Sequence, residues 1–301
     1  MIAIQNLSKS FGAVEAVKDV ALEVARGEMF GLIGPDGAGK TTLIRILCTL
    51  LKPDAGACTI NHFNTVADFM AIRAIVGYMP QRFSLYQDLT VAENLRFFAD
   101  LFQVSPAERE QRLTQLLQFS KLEPFQKRRA GRLSGGMKQK LALSCTLIHT
   151  PEILFLDEPT TGVDPVSRRE FWDILASLKK QGVTLFITTP YMDEALKCDR
   201  VAFMHKGRIL TSDVPSRLPG LFKNKLLEVR SKNILQSVKW LNRATSIKSI
   251  QTFGDKLHIT TSNPFQTEAE IRSILDENHF EEVRIDLIPP SLEDVFIQLM
   301  T

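Results

Sequence analysis

The chain opens with three short stretches in which apolar residues alternate or crowd together: Ile2 to Leu7, Val17 to Val24, and Met29 to Ile33. Period-two alternation marks a half-buried strand, and a short apolar run marks a strand covered on both faces. A glycine-rich segment follows the third run, after which Leu43, Ile44, Ile46 and Leu47 recur at helical spacing. Beyond a turn at Lys52-Pro53-Asp54-Ala55-Gly56, strand-like residues continue to Tyr78-Met79. From Thr90 to Gln118 the pattern is helical, with Ser105 before Pro106 as a helix start. Ile153 to Leu156 reads as a buried strand, Pro165 to Lys180 as a helix and Val183 to Thr188 as a strand. Strands alternating with helices predict an α/β fold with a largely parallel sheet, and residues 88–150 form a helical subdomain beside it.

Near Leu218-Pro219-Gly220 the texture changes. The pattern then predicts strand Leu226–Val229, helix Ile234–Asn242, strand Ile247–Thr252, a turn at Gly254-Asp255, strand Leu257–Thr260, helix Glu268–Asn278 and strand Val283–Leu287. That βαββαβ order is a ferredoxin-like split unit. A last helix, Leu292 to Met300, follows Pro289-Pro290. Two domains are expected, 1–218 and 221–301, and a length of 301 residues accommodates both.

Composition narrows the partners. Hydrophobic residues make up 44% of the chain and charged residues 24%, as in an ordinary globular protein. A net charge of +3 is too small to argue for nucleic acid, which is not expected as a partner. No apolar stretch approaches the length that crosses a bilayer, and the N-terminus lacks a signal-peptide pattern. Service to a membrane would therefore come from the cytosolic side, through another polypeptide. Cys48, Cys58, Cys145 and Cys198 show no C-x-x-C pairing and read as buried free thiols in a reducing compartment. The five histidines are dispersed, without ligand spacing.

Candidate chemistry sits at three places. Gly34, Pro35, Asp36, Gly37, Ala38, Gly39, Lys40, Thr41 and Thr42 fit the pattern G-x-x-x-x-G-K-[ST] between a strand and a helix. Glycines let backbone N–H groups curl around a polyphosphate, Lys40 adds charge at its β/γ end, the Thr41 hydroxyl is placed to ligate Mg²⁺, and the helix start attracts the same anion. At 153–158, Ile-Leu-Phe-Leu-Asp-Glu is an apolar strand that ends in two carboxylates. Beside a phosphate loop, Asp157 is expected to hold Mg²⁺ through water and Glu158 to polarise the attacking water. At 133–141, Leu-Ser-Gly-Gly-Met-Lys-Gln-Lys-Leu is a second helix start suited to an anion, with Ser134 as N-cap. One nucleotide needs one such cradle, so the second is expected to serve another protomer in a two-fold, head-to-tail pair.

The phosphate loop, Gln81 after a strand, the LSGGMKQ run, the LFLDEP run and the Gly162-Val163-Asp164 turn occur in the order found in ATP-binding cassette (ABC) ATPases. Over about residues 1–215 the chain resembles the nucleotide-binding subunit of a membrane exporter, and Pro290-Ser291-Leu292-Glu293-Asp294-Val295-Phe296 is similar to the C-terminal extension of drug-resistance exporter ATPases. The resemblance implies a P-loop NTPase cassette that hydrolyses ATP with Mg²⁺. It implies a second ABC protomer, identical or different, as partner, and integral-membrane permease subunits on the cytoplasmic side of the cell membrane. It places Phe11 on adenine, gives Gln81 contact with Mg²⁺ and the attacking water, and gives Ser134, Gly135, Gly136 and Met137 to the partner's nucleotide. Asp164 would touch the opposite protomer, and the extension at 221–301 would regulate or dimerise.

One position departs from the family. A histidine that contacts the γ-phosphate is replaced by Pro190, within Thr188-Thr189-Pro190-Tyr191-Met192-Asp193-Glu194. Proline carries neither a side-chain donor nor a backbone N–H. Loss of one preorganised group at a charge-developing centre typically costs about 10²–10³ in rate, less if Thr189 or Tyr191 takes over. The chain is then expected to form a slow site, opposite a different cassette or in a homodimer. Two other readings are a soluble cassette of translation or DNA maintenance and a binding-only ATP module. The heptad insertion or tandem cassette of the first is not visible, and Glu158 argues against the second.

Overall fold

A hairpin of β1 (Ile2–Phe11) and β2 (Val14–Val24) begins the chain. In β2 the residues Val20, Leu22 and Val24 are buried while Asp19, Ala21 and Glu23 face water, which is the alternation a one-sided sheet demands. With β4 (Ala55–Ile60) and β5 (Phe63–Asn64) they form an antiparallel sheet in the order β2-β1-β4-β5. The computed structural model describes residues 1–82 and 85–300. Two residues of the loop after Gln81, and residue 301 at the end of the expected second domain, lie outside the described residues. The chain divides into two units, Met1–Val214 and Pro215–Thr301.

The core of the first unit is a six-stranded sheet in the order β10-β9-β3-β8-β7-β6. Its strands are β3 (Met29–Ile33), β6 (Val76–Met79), β7 (Ile153–Asp157), β8 (Thr184–Thr189), β9 (Arg200–His205) and β10 (Arg208–Asp213). Every residue of β3, β7 and β8 is buried, as expected for apolar runs covered on both faces. Phe186 packs between Phe30 and Phe155, with ring centroids 5.4 and 5.7 Å away. All pairings are parallel except β9 with β10. The register sets Ile33 beside Thr189 and Asp157 beside Thr188. Parallel strands therefore deliver the loops after β3, β6, β7 and β8 to one edge, the edge where open α/β sheets bind ligands.

Around this sheet lie α1 (Lys40–Leu47), α2 (Phe69–Ile75), α6 (Pro165–Lys180) and the short α7 (Met192–Ala195). The helical region contains α3 (Val91–Leu101), α4 (Pro106–Phe119) and α5 (Gly135–Leu147), which share Leu95, Leu113, Leu117, Leu141 and Cys145 in one apolar cluster. The helical stretch expected at 90–118 holds two helices, the second beginning after the expected cap at Ser105. Gln103 takes a left-handed φ of 54°, and Ser105 caps α4 by accepting from the Glu108 N–H. Thr90 and Glu93 close a capping box at the start of α3. Four elements went unanticipated: α2, which buries only Ile72, the one-turn α7, and the two strands of the β9–β10 hairpin that turns at Lys206-Gly207.

The second unit carries β11 (Lys225–Arg230), α8 (Val238–Leu241), β12 (Ile247–Phe253), β13 (Lys256–Thr261), α9 (Pro264–Glu277), β14 (Arg284–Ile288) and α10 (Leu292–Met300). The sheet order β12-β13-β11-β14 is antiparallel throughout, the arrangement of a ferredoxin-like split unit. The helix expected from Glu268 starts four residues earlier, because Asn263 caps it and Pro264 takes the first helical position. Leu227, Val229, Leu257 and Ile259 meet Ile271 and Leu275 of α9 in the core. Glu228 and His258 are register partners on neighbouring strands, and His258 Nδ1 lies 2.8 Å from Asp294 Oδ1 of α10.

Burial would raise the Glu228 carboxyl, but hydrogen bonds from Lys256 and Arg230 outweigh it and hold it at about 2. A carboxylate depressed in this way stabilises the folded unit above the unfolded value, and that stability disappears as pH falls toward the folded one. Glu228→Gln is therefore expected to cost about 1–3 kcal/mol at neutral pH. The difference from wild type should shrink steadily below about pH 4, the range of a free glutamate. Urea unfolding followed at Trp240 across that range tests this, and a pH-independent difference would contradict it.

Candidate nucleotide site

At the carboxyl edge of the sheet lies a cavity of about 640 Å³. Its walls are Val14, Glu15 and Ala16 at the end of the hairpin, Asp36 to Thr42 of the glycine loop, and Gln81, Glu158 and Lys206. The loop joins β3 to α1, and Gly39 is the N-cap with φ 106° and no side-chain cap. A Cβ at Gly39 would meet the Ala16 carbonyl oxygen at 2.1 Å, so the backbone itself forms this wall. A helix start without a side-chain cap presents its N–H groups to an anion.

Lys40 is buried at 3% exposure beneath the loop. Its ammonium donates to the carbonyls of Gly34 at 2.7 Å and Pro35 at 3.0 Å, and lies 3.1 Å from Glu158 Oε1. These partners hold a positive charge between the phosphate loop and the second carboxylate. Thr41 Oγ1 donates to Asp157 Oδ1 at 3.2 Å, and Thr188 Oγ1 donates to the same oxygen at 2.7 Å. Asp157 Oδ2 is buried with no hydrogen-bond partner. Burial raises the Asp157 carboxyl, and the Glu158 charge adds to that, against the lowering effect of Thr188, Thr41 and Lys40. An unpaired buried carboxylate oxygen beside a threonine hydroxyl fits a hard cation such as Mg²⁺, which keeps several waters and few protein ligands.

Glu158 adopts a left-handed φ of 49°, uncommon for a residue with a side chain. Two bonds from its backbone N–H, to Thr188 O at 3.1 Å and Thr188 Oγ1 at 3.0 Å, hold that turn. The carboxylate then faces Lys40 on one oxygen and Gln81 on the other, Gln81 Nε2 donating to Oε2 at 2.9 Å. The structure thus brings Gly34 to Thr42, Gln81, Asp157 and Glu158 together. Phe11 stands near the rim, half-exposed at the end of β1, opposite Val14 in the ladder.

Ser134, Gly135, Gly136 and Met137 are not among the cavity walls. Ser134 caps α5 by accepting from the Met137 N–H at 3.4 Å. A Cβ at Gly136 would stand 2.3 Å from Ser167 Cβ, and the Ser167 N–H donates to Asp164, the N-cap of α6, at 2.9 Å. The second helix start and the Asp164 turn therefore pack together, apart from the chain's own phosphate loop.

Pro190 follows the last residue of β8 and is half-buried. Of its neighbours, Thr189 is engaged elsewhere and the Tyr191 ring is stacked. Thr189 Oγ1 donates to Glu194 at 2.6 Å and accepts from the Tyr191 N–H at 3.0 Å. The Tyr191 ring lies under the Arg168 guanidinium, 4.4 Å from its centroid. Thr188 and Glu194 were missed from sequence. Their one local signal is the polar pair Thr188-Thr189 at the end of an otherwise apolar strand.

A family model described as ABC transporter matches residues 17–161. Over 305 residues the chain is 39% identical to the probable multidrug ABC transporter ATP-binding protein YbhF of Escherichia coli (strain K12), covering 100% of this chain and 52% of that protein. The chain thus spans about half the length of that relative. It is 36% identical over 300 residues to the Nod factor export ATP-binding protein I of Rhizobium sp. (strain N33), covering 99% of this chain and 96% of that one. Identity is 31% over 309 residues with the doxorubicin resistance ATP-binding protein DrrA of Mycobacterium tuberculosis (strain CDC 1551 / Oshkosh), covering 100% and 93%. A solved ATP-binding subunit of an ABC transporter superposes with TM-score 0.66 at 31% identity, covering 73% of this chain and 92% of that one. A dimeric ATP-binding cassette bound to ADP and Pi in a post-hydrolysis state gives TM-score 0.65 at 27% identity, covering 71% and 98%.

The raised Asp157 carboxyl sets a stability prediction. A folded group above its unfolded value stabilises fully below the unfolded value, and that contribution is lost as pH rises through the folded one. Asp157→Asn should therefore raise the nucleotide-free Tm near pH 8 by about 2–4 °C and lose that advantage toward pH 4. With ATP and Mg²⁺ added, wild type should gain more than the variant. Thermal melts across pH check this, and a lower variant Tm at pH 8 would contradict it.

Proposed function

The chain belongs to the family of ABC transporter ATP-binding proteins, and we propose that it binds and hydrolyses ATP to drive an exporter through a separate membrane-spanning permease. One observation carries the hydrolytic reading: Lys40, the unpaired oxygen of Asp157 and the carboxylate of Glu158 converge at one sheet edge beside the phosphate loop. The loop N–H groups and the start of α1 receive the triphosphate. Lys40 moves its charge from Glu158 to the β/γ end, which frees Glu158 to accept a proton from water as its oxygen bonds to the γ-phosphorus. The bond from that phosphorus to the β–γ bridging oxygen breaks, leaving ADP and phosphate. Thr41, Asp157 and Gln81 are the residues that would hold Mg²⁺, which neutralises phosphate charge there. Phe11 at the rim would stack on adenine.

A second ABC protomer, identical or different, completes the site in this reading. Its Ser134, Gly135, Gly136 and Met137 would cover the nucleotide and its Asp164 would meet the opposite phosphate loop. Support comes from the position of this chain's own Ser134 turn outside its own cavity. The second unit would regulate or dimerise. Among the described residues no helix is long and apolar enough to cross a membrane. In this reading membrane-spanning permease subunits are separate polypeptides, and this chain works on the cytoplasmic face of the cell membrane. Export as the direction follows the relatives' names, which speak of multidrug transport, Nod factor export and doxorubicin resistance. Pro190, with the Thr189 hydroxyl engaged by Glu194, makes the chain's own site slow in this reading.

Two substitutions test the chemistry. Glu158→Gln should keep ATP binding while turnover falls about 10²- to 10⁴-fold, the range for a lost general base. Pro190→His should raise turnover, by up to about 10²–10³-fold. Phosphate release from the chain isolated with its membrane partners measures both. Unchanged turnover in Glu158→Gln would contradict hydrolysis at this site, unchanged turnover in Pro190→His would contradict the slow-site reading, and isolation without any integral-membrane polypeptide would contradict the exporter.

A further inference from the structure

One fully buried carboxylate has no part in the chemistry above. Glu194, in α7, is 0% exposed. A carboxylate removed from water persists only where hydrogen bonds and opposite charge replace its hydration. Thr160 Oγ1 donates to Glu194 Oε1 at 2.6 Å, Thr189 Oγ1 donates to Oε2 at 2.6 Å, and Arg168 Nε stands 3.7 Å from Oε1. Hydroxyl bonds to a carboxylate at this length are charge-assisted and directional.

Each partner belongs to a different working segment. Thr160 lies just past Glu158, in the turn that runs to Asp164. Thr189 follows Thr188, the residue that bonds both Asp157 and the Glu158 N–H, and precedes Pro190. Arg168 sits in the first turn of α6, next to Ser167, which packs against Gly136 and donates to Asp164. One side chain therefore joins the general-base turn, the end of β8 and the helix whose cap faces outward with the Ser134 turn.

We propose that Glu194 is a positioning residue: its two oxygens tie the Glu158–Asp164 turn to the Thr189–Tyr191 segment, so that the base and the surface offered to the second protomer move as one body. The proposal rests on the hydrolytic reading for its catalytic consequence, though not for the tie itself. The bonds from the Glu158 N–H to Thr188 already join the base to the end of β8, and with proline where a histidine would otherwise reach the nucleotide, the Glu194 tie extends that link to the Thr189–Tyr191 segment.

Two measurements test it. Amide hydrogen exchange of residues 159–164 and 189–195 in the full chain should show equal opening free energies in wild type that separate in Thr160→Val and in Thr189→Val. Independent opening in wild type would overturn the tie. In turnover assays, each valine variant should lower kcat about 10- to 100-fold, the scale of a small misplacement of a catalytic group. ATP affinity should change less than about threefold, and the double variant should lose no more than the worse single, because both remove one coupling. Glu194→Gln, which keeps one acceptor oxygen, should fall between wild type and the valine variants. A kcat that stays at the wild-type value per folded molecule would overturn the positioning role. Absence of turnover in wild type would defeat the hydrolytic reading alone, since hydrogen exchange still decides the tie.

Discussion

Two adjacent carboxylates buried beside one ammonium, at the end of a parallel sheet, are the constraint on which the site depends. Asp157 and Glu158 are 1% and 6% exposed, and Lys40 is 3% exposed. Charges so far from water are tolerated only with partners in place. Glu158 has Lys40, Gln81 and the hydroxyl of Thr161. Asp157 has Thr41 and Thr188 on one oxygen and nothing on the other. That imbalance defines a place for added positive charge, just as the glycine loop and the start of α1 define a place for added negative charge. In the proposed reading a nucleotide polyphosphate with its metal would satisfy both demands at once, so that binding and charge neutralisation would be one event.

What the residues revealed unaided follows from how local each signal is. The phosphate loop was legible because its geometry is written in consecutive residues, and Gly39 alone shows why, with its positive φ and its contact against Ala16. Apolar runs bounded by turn residues marked β3, β7 and β8, and the repeating order of the second unit announced its split βαββαβ plan. The polar network was not legible. Thr188 reaches Asp157 and Glu158 only because β7 and β8 are parallel neighbours in one register, and no spacing along the chain encodes that. Glu194 was unreadable for the same reason: its partners Thr160 and Thr189 meet through the sheet. The β9–β10 hairpin was missed because a buried central strand followed by a half-exposed edge strand shows no single period. The start of α9 was read late because Asn263 and Pro264 precede its apolar periodicity.

The helix start at Ser134 is the feature from which the proposed second protomer is argued. Gly136 cannot carry a side chain because Ser167 occupies the space, and Ser167 in turn engages Asp164. The helix start at Ser134 is thus fixed rigidly to the outward turn, away from the cavity of its own chain. A two-fold partner would bring such a surface to each phosphate loop. Closure of that kind must favour one state by about 5.5 kcal/mol to switch a population from 1:99 to 99:1. In the proposed reading two polyphosphates, each gripped from both sides, would supply that difference, and the segments joined at Glu194 would carry it between β8 and the Asp164 turn.

The central claim is that this edge of the sheet is built for a polyphosphate together with its cation. Calorimetric titration of ATP into the purified chain, with and without Mg²⁺, tests it most directly. The account predicts one site per chain, with affinity tightened by Mg²⁺ in wild type and with that metal dependence lost when Asp157 is replaced by asparagine. Failure to retain ATP, or retention equally tight without the metal, would contradict it.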